Sequence, residues 1–244
     1  RNWLVRASLG GLTAVIGISR LTMQRFNGWA KLDDRRFHLL PPAVELAQYS
    51  PGPRSAKLVA ALGLLNRKVL LTVGRLASDE RYKGFDEVIE TLPQIARECP
   101  EIVYLICGDG PDRPRLEAKA AALGVQDRVR FSGFVAGRGK ADYYRLADVY
   151  VMPSRGEGFG IVFLEALASG LPTIGSAIDG SREALLEGQL GELVDPSDGA
   201  GLRAAVLRAL QHGKQIPAGL QNFAMPQFQA KTQRIFREIL ENRA

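Results

Sequence analysis

The feature that most constrains the fold is an alternation kept up along most of the chain. A short β-branched run ending near glycine is followed, again and again, by a stretch with apolar residues at helical spacing. Residues 68–74 (K-V-L-L-T-V-G) are strand-like, and 85–97 carry apolar residues at 85, 88, 89, 92, 95 and 96, one face of a 3.6-residue period. Pro93 falls inside that helix and is expected to kink it or open its second half. Strands at 102–107, 129–131, 149–152, 172–174 and 191–194 alternate with helices at 113–123, 140–146, 160–169 and 181–186. Helices at 199–210 and 226–243 close the chain. Strands separated by helices make βαβ units, so the predicted fold is α/β, a Rossmann-like doubly wound parallel sheet with helices on both faces. Ligands in such sheets lie beyond the carboxyl ends of the strands, which directs attention to the loops after Val73, Cys107, Phe131 and Met152.

The first 40 residues fit that unit poorly. They read as strands at 12–19 and 37–40 around a helix at 21–26, and Pro41-Pro42 then imposes an extended break. Two strands and a helix cannot bury both faces of a sheet, so 1–40 is expected to be the tail of a larger preceding domain. The chain has 244 residues, 46% of them hydrophobic, which is enough for a core and excludes a disordered segment. The apolar run at 9–18 is shorter than the ~18 residues that a bilayer span requires. Cys99 and Cys107 cannot form a disulfide framework and suit a reducing compartment. A net charge of +6 fits either a solvated basic surface or an anionic partner, and composition does not choose between them.

Chemistry concentrates at 152–169. Met152-Pro153-Ser154-Arg155-Gly156-Glu157-Gly158-Phe159-Gly160 leaves a strand, crosses a glycine-rich loop and enters a helix beginning Ile161-Val162. Amides at a helix N-terminus carry partial positive charge, and glycines let a ligand approach the bare backbone, so the loop suits a phosphate. A plain strand-to-helix turn accounts for the glycines equally well. Glu157 and Glu165, eight positions apart, place one carboxylate at the helix entrance and one deeper; each can accept two hydrogen bonds, as a vicinal diol offers. Arg75 and Lys83 follow the 68–74 strand and would project above the sheet edge, where they face a diphosphate or serve as ordinary surface cations. Gly108-Asp109-Gly110-Pro111 does not complete G-x-G-x-x-G, so a dinucleotide site is poorly supported; a tight turn beside a ligand and a plain turn fit Gly108 equally. No D-x-D pair is present to clamp a divalent metal, and His38 and His212 are isolated. Neither a G-x-S-x-G elbow nor a Walker A run occurs.

In this order the segments resemble the C-terminal, donor-binding half of a GT-B-fold retaining glycosyltransferase of family 4 (glycosyl transferases group 1). The most specific stretch is S-R-G-E-G-F-G-I-V-F-L-E-A-L-A-S-G-L-P-T-I at 154–174, supported by V-G-R-L at 73–76, K-G at 83–84, C-G-D-G-P at 107–111, R-F-S-G-F-V at 130–135 and A-D-V-Y-V-M-P-S at 147–154. The resemblance implies a domain plan: 1–40 the remnant of an N-terminal acceptor domain, 41–222 the nucleotide-sugar domain, 223–244 a crossover helix with little here to pack on. It also implies roles. Arg75 and Lys83 would bind the donor diphosphate, Glu165 the ribose hydroxyls, and Glu157 the donor sugar near its anomeric carbon. Backbone amides of Gly158, Phe159, Gly160, Ile161 and Val162 would touch sugar and phosphates, Gly108 would line the same site, and Phe134 and Val135 would flank the base. Implied catalytic residues are therefore Glu157, Arg75 and Lys83, with no metal and no cofactor. The donor would be a UDP- or GDP-linked sugar, the acceptor a glycan or lipid-linked molecule, and nucleic acid no partner. The setting implied is the cytoplasm, free or peripheral at the inner membrane face. Two departures stand out: Pro41-Pro42-Ala43-Val44-Glu45 where the family has Pro-Asn-Gly-Val-Asp, and Asp179-Gly180-Ser181-Arg182-Glu183 where it has Gly-Gly before Pro-Glu. Rival readings are a non-catalytic nucleotide-sugar-binding module, or an epimerase or phosphorylase on the same fold, the last needing a pyridoxal-bearing lysine, whereas Lys83, the only lysine in a matched motif, is better placed for phosphate.

Overall fold

The computed structural model describes Val5 and residues 8–241. Its N-terminal piece is a parallel pair, β1 (Val15–Gly17) and β2 (Phe37–Leu39), joined by α1 (Arg20–Ala30). That helix is longer than the apolar spacing suggests because its ends are well specified. Ser19 and Thr22 form a reciprocal capping box at the start, and Lys31 closes the last turn in the left-handed region. A helix absent from the sequence reading, α2 (Ala56–Leu62), is set by Ser55 as its N-cap and by Gly63 at φ 64°.

The main sheet then follows in the anticipated alternation: β3 (Lys68–Val73), α3 (Phe85–Glu98), β4 (Ile102–Cys107), α4 (Arg113–Ala122), β5 (Val129–Phe131), α5 (Lys140–Leu146), β6 (Val149–Val151) and α6 (Ile161–Ala168). It continues with β7 (Thr173–Ser176), α7 (Ser181–Ala184), β8 (Glu192–Val194), α8 (Gly199–Ala209) and α9 (Met225–Glu241). The six strands β3 to β8 are all parallel, in the order β5-β4-β3-β6-β7-β8. This is the expected α/β, doubly wound, Rossmann-like sheet. Two details differ from expectation. Helix α3 runs unbroken through Pro93, because Leu92 and Ile95 on either side are fully buried and packing outweighs the lost backbone hydrogen bond. Helix α7 stops after four residues, where Leu186 and Glu187 take positive φ in a 3₁₀ turn. The end of the last helix near residue 243, and residues 1–4, 6 and 7 of the anticipated N-terminal piece, lie outside the described residues.

Side chains alternate across the sheet into two cores. Val69, Leu71 and Val73 of β3, with Val103, Leu105 and Cys107 of β4, meet Tyr144, Phe163 and Leu167 from α5 and α6. Leu70, with Ile102, Tyr104 and Ile106, meets Ile89, Leu92 and Leu202 from α3 and α8. Burial on both faces is why these strands read as continuous apolar runs. The chain order reverses between β3 and β6, opening a crevice at their carboxyl ends.

Glu183 joins the N-terminal piece to this sheet. Its carboxylate accepts from the backbone N–H of Arg20 at 2.8 Å and of Leu21 at 2.9 Å, capping α1 from outside. Helix α9 buries Ile235 and leaves Phe236 and Leu240 exposed.

Candidate functional site

Four loops meet at the crevice, and glycines permit their approach. A Cβ on Gly108 would lie 1.8 Å from the Gly74 carbonyl oxygen, so the ends of β3 and β4 touch only because position 108 has none. Gly84, at φ 85°, opens α3 against the Pro153 carbonyl, where a Cβ would come within 2.7 Å.

Arg75 leaves β3 with its side chain exposed and pairs with Glu80. Lys83 is nearly covered; its Nζ lies 3.6 Å from Glu80 Oε2 and 3.5 Å from Glu157 Oε2. The fold thus gathers Arg75, Lys83 and Glu157, and adds Glu80, which the sequence reading missed. Glu80 sits in a loop with no periodicity, and nothing in its spacing signals a role.

The glycine-rich loop is fastened from below by Asp179, a buried carboxylate. Its Oδ2 accepts from Ser154 Oγ at 2.7 Å and from the Glu157 N–H at 2.9 Å, while Oδ1 accepts from the Ser181 N–H and hydroxyl at 3.0 and 2.6 Å. Tyr82 fastens it from the side: its carbonyl accepts from the Arg155 N–H at 2.7 Å, and its ring lies against Gly156. Gly160 at φ 84° then turns the chain into α6, and no side chain caps that helix. Gly158, Ile161 and Val162 stand at this entrance. Phe159 does not offer its side chain, which is buried and packs edge-on against Phe223 at 5.7 Å.

Glu165, one turn further along α6, is 5% exposed. Lys140 Nζ donates to both its oxygens, at 2.7 and 2.8 Å, Tyr49 donates to Oε1 at 2.9 Å and Tyr144 to Oε2 at 2.7 Å. A carboxylate has about four acceptor positions, and these four contacts use them. Burial, followed by the nearby Glu165 charge, pushes the Tyr49 and Tyr144 hydroxyls well above the ordinary phenol range, so both remain protonated donors. The sequence did hold a signal for Lys140. A lysine opening a helix opposes the helix dipole unless a carboxylate waits nearby. Tyr49 and Tyr144 gave none. Phe134 projects into solvent with 78% of its surface exposed, while Val135 packs on the core.

The cysteines take no part as thiolates. Burial pushes the Cys107 thiol up, and burial with Glu101 pushes Cys99 up to about 11. No three His, Cys, Asp or Glu side chains converge as a metal site among the described residues. No described helix is long and apolar enough to cross a membrane.

With this geometry in view, the chain can be set beside known proteins. The family described as Glycosyl transferases group 1 matches residues 67–212. A D-inositol 3-phosphate glycosyltransferase of Geodermatophilus obscurus is 36% identical over 202 residues, 79% of this chain and 44% of that protein. A GDP-mannose-dependent alpha-(1-6)-phosphatidylinositol monomannoside mannosyltransferase of Mycolicibacterium smegmatis is 33% identical over 197 residues, 78% of this chain and 50% of that protein. Among solved structures, the sucrose-phosphate synthase of Thermosynechococcus elongatus superposes with a TM-score of 0.81 at 27% identity, over 99% of this chain and 62% of that one. The chain therefore spans about half the length of the curated relatives it matches.

Proposed function

The chain belongs to the glycosyl transferases group 1 family, and on that premise we propose that it is the donor-binding half of a retaining, family 4 glycosyltransferase. The whole enzyme moves a hexosyl unit from a UDP- or GDP-linked sugar to a glycan or lipid-linked acceptor. One observation carries this reading: Arg75, Lys83 and Glu157 converge at the strand-order reversal, in front of a helix entrance that no side chain caps. Cations and helix amides aimed at one point serve a group whose negative charge grows during reaction. That describes a nucleoside diphosphate leaving a sugar. Arg75 and Lys83 hold its phosphates, the amides of 158–162 share the remaining charge once the Gly158 N–H leaves Glu157 Oε1, to which it donates at 3.0 Å, and no dedicated metal is required. Glu157, at 3.5 Å from Lys83, takes the sugar hydroxyls beside the reacting carbon. Phe134 and Val135 flank the base.

Glu165 takes the ribose, on one condition that its present contacts impose. Because Lys140 and two tyrosines already fill its acceptor positions, a ribose diol can bind only as Lys140 withdraws. Holding donor and acceptor in register can supply ~7–11 kcal/mol of barrier lowering. The described residues organise the donor side, and on this reading they bind nucleoside diphosphate. The chain's two free cysteines suit the cytoplasm.

Calorimetric titration with UDP and GDP tests the reading. Arg75→Ala and Glu165→Ala should each weaken binding about tenfold or more, the loss of about 1.4 kcal/mol. If neither nucleotide gives heat with the folded chain, or both variants bind as the parent does, the assignment fails.

A further inference from the structure

The cations proposed to hold the diphosphate are not waiting empty-handed. Arg75 pairs with Glu80, and Glu80 Oε2 lies 3.6 Å from Lys83 Nζ, with Glu157 on the other side of that amine. Two positive and two negative side chains therefore share the site, and their charges cancel. We propose that Glu80 is a built-in competitor for the donor diphosphate: its carboxylate occupies Arg75 and Lys83 while the site is empty, and the phosphates must displace it to bind. This rests on the donor-site reading given above.

Three observations favour a displaceable carboxylate over a fixed structural one. Glu80 Oε2 is buried yet makes no hydrogen bond, the lysine being slightly too far, so half of the group's acceptor capacity is unmet. Asp179, which anchors the glycine-rich loop, differs in filling both oxygens with close donors. Glu87, the other carboxylate with an unmet buried oxygen among the described residues, differs in having no second cation beside that oxygen, since its ion pair with Arg155 uses Oε1. Second, the backbone of Glu80 is already secured. Its N–H donates to the Ala77 carbonyl at 3.0 Å and its carbonyl accepts from the Lys83 N–H at 3.3 Å, so displacement asks only for a side-chain rotation. Third, Arg75 is 76% exposed at the side chain. A ligand can reach the guanidinium from solvent and take over the pair that Glu80 makes. Lys83 is the more confined of the two cations: its side chain is 13% exposed and its amine lies 5.3 Å from the centre of the Tyr82 ring, which packs on the glycine-rich loop.

The consequence is unusual for a charged residue inside a binding site, because deleting it should improve binding. Titration of UDP and GDP into the chain, Glu80→Gln and Glu80→Ala tests this, with circular dichroism verifying the fold of each. Glutamine can still accept a hydrogen bond from Arg75, so the expected order of affinity is Ala, then Gln, then the parent. The gain expected for Glu80→Ala is about tenfold. Binding by either variant that is equal to or weaker than the parent's overturns the proposal, and means that Glu80 holds Arg75 in its binding pose. If the parent and both variants are folded and none binds either nucleotide, the donor-site reading falls and the proposal falls with it.

Discussion

Glu165 shows how a single buried charge is made tolerable. An ionised carboxylate at 5% exposure is costly unless its oxygens are met by donors, and three side chains meet them, Lys140 and Tyr144 from α5 and Tyr49 from the segment before α2. Removing the one cation leaves the charge supported by phenols alone. Lys140→Met should therefore destabilise the chain by about 3 kcal/mol. Equilibrium urea unfolding measures the loss, and adding Glu165→Gln should recover a large part of it. Equal loss in the single and double variants would show that Lys140 contributes through packing instead. The pair could be half anticipated from sequence. Glu165 stands out by its eight-residue distance from Glu157, and Lys140 by its place at a helix start. That the two meet depends on β5 and β6 lying on opposite sides of β3, which no local pattern encodes.

Between elements, the clearest joint is the one linking α3 to α4. Asp86 in the first turn of α3 and Lys119 in the last turn of α4 each suit their own helix dipole. The same two groups, with Arg115 and Asp112, then bind the helices together: Arg115 makes two bonds to Asp86 at 2.6 and 2.7 Å, and Lys119 adds a third at 2.5 Å. Burial alone would raise the Asp86 carboxyl; the hydrogen bonds from Arg115 and Lys119 outweigh it and hold the group below the usual 3.8. Since the folded value is depressed, the unfolded chain takes up the proton first. The stabilisation is complete above about pH 4 and disappears as pH falls through the folded value. Asp86→Asn should cost about 2 kcal/mol at pH 7. Urea unfolding repeated in acid should find the variant and parent converging, and a gap that persists unchanged at low pH would refute the linkage. Local periodicity sufficed to locate both helices. It also misjudged one of them at Pro93, because a proline's cost is local whereas the apolar face that overrides it, Leu92 and Ile95 included, belongs to the core.

Across the molecule, the attachment of the N-terminal piece is narrow. Glu183 caps α1 from the main sheet, and α1 has no acidic residue of its own in its first turn. Substituting Glu183→Gln leaves one acceptor for two N–H groups and turns an amide toward the other, at a cost of about 1–2 kcal/mol. Hydrogen exchange should then quicken through 15–30 while amides of β3 and β4 keep their protection. Uniform change across both regions would mean that Glu183 supports the whole fold. Ile16, Ile18 and Trp29 are exposed on this piece.

The sequence by itself determined the parallel architecture and the two-sided burial of β3 and β4, and it marked the loops at the carboxyl ends of the strands. These follow from residue spacing along single elements, where the interactions are short in range and repeat. Tertiary structure alone decided that Glu80 would lie between Arg75 and Lys83, that Asp179 would anchor the Glu157 loop, and that Tyr49 would reach Glu165 across 116 positions. Such contacts are single events between remote segments. Their energies depend on where strand order and loop geometry bring two side chains, and no periodic signal along the chain records that distance.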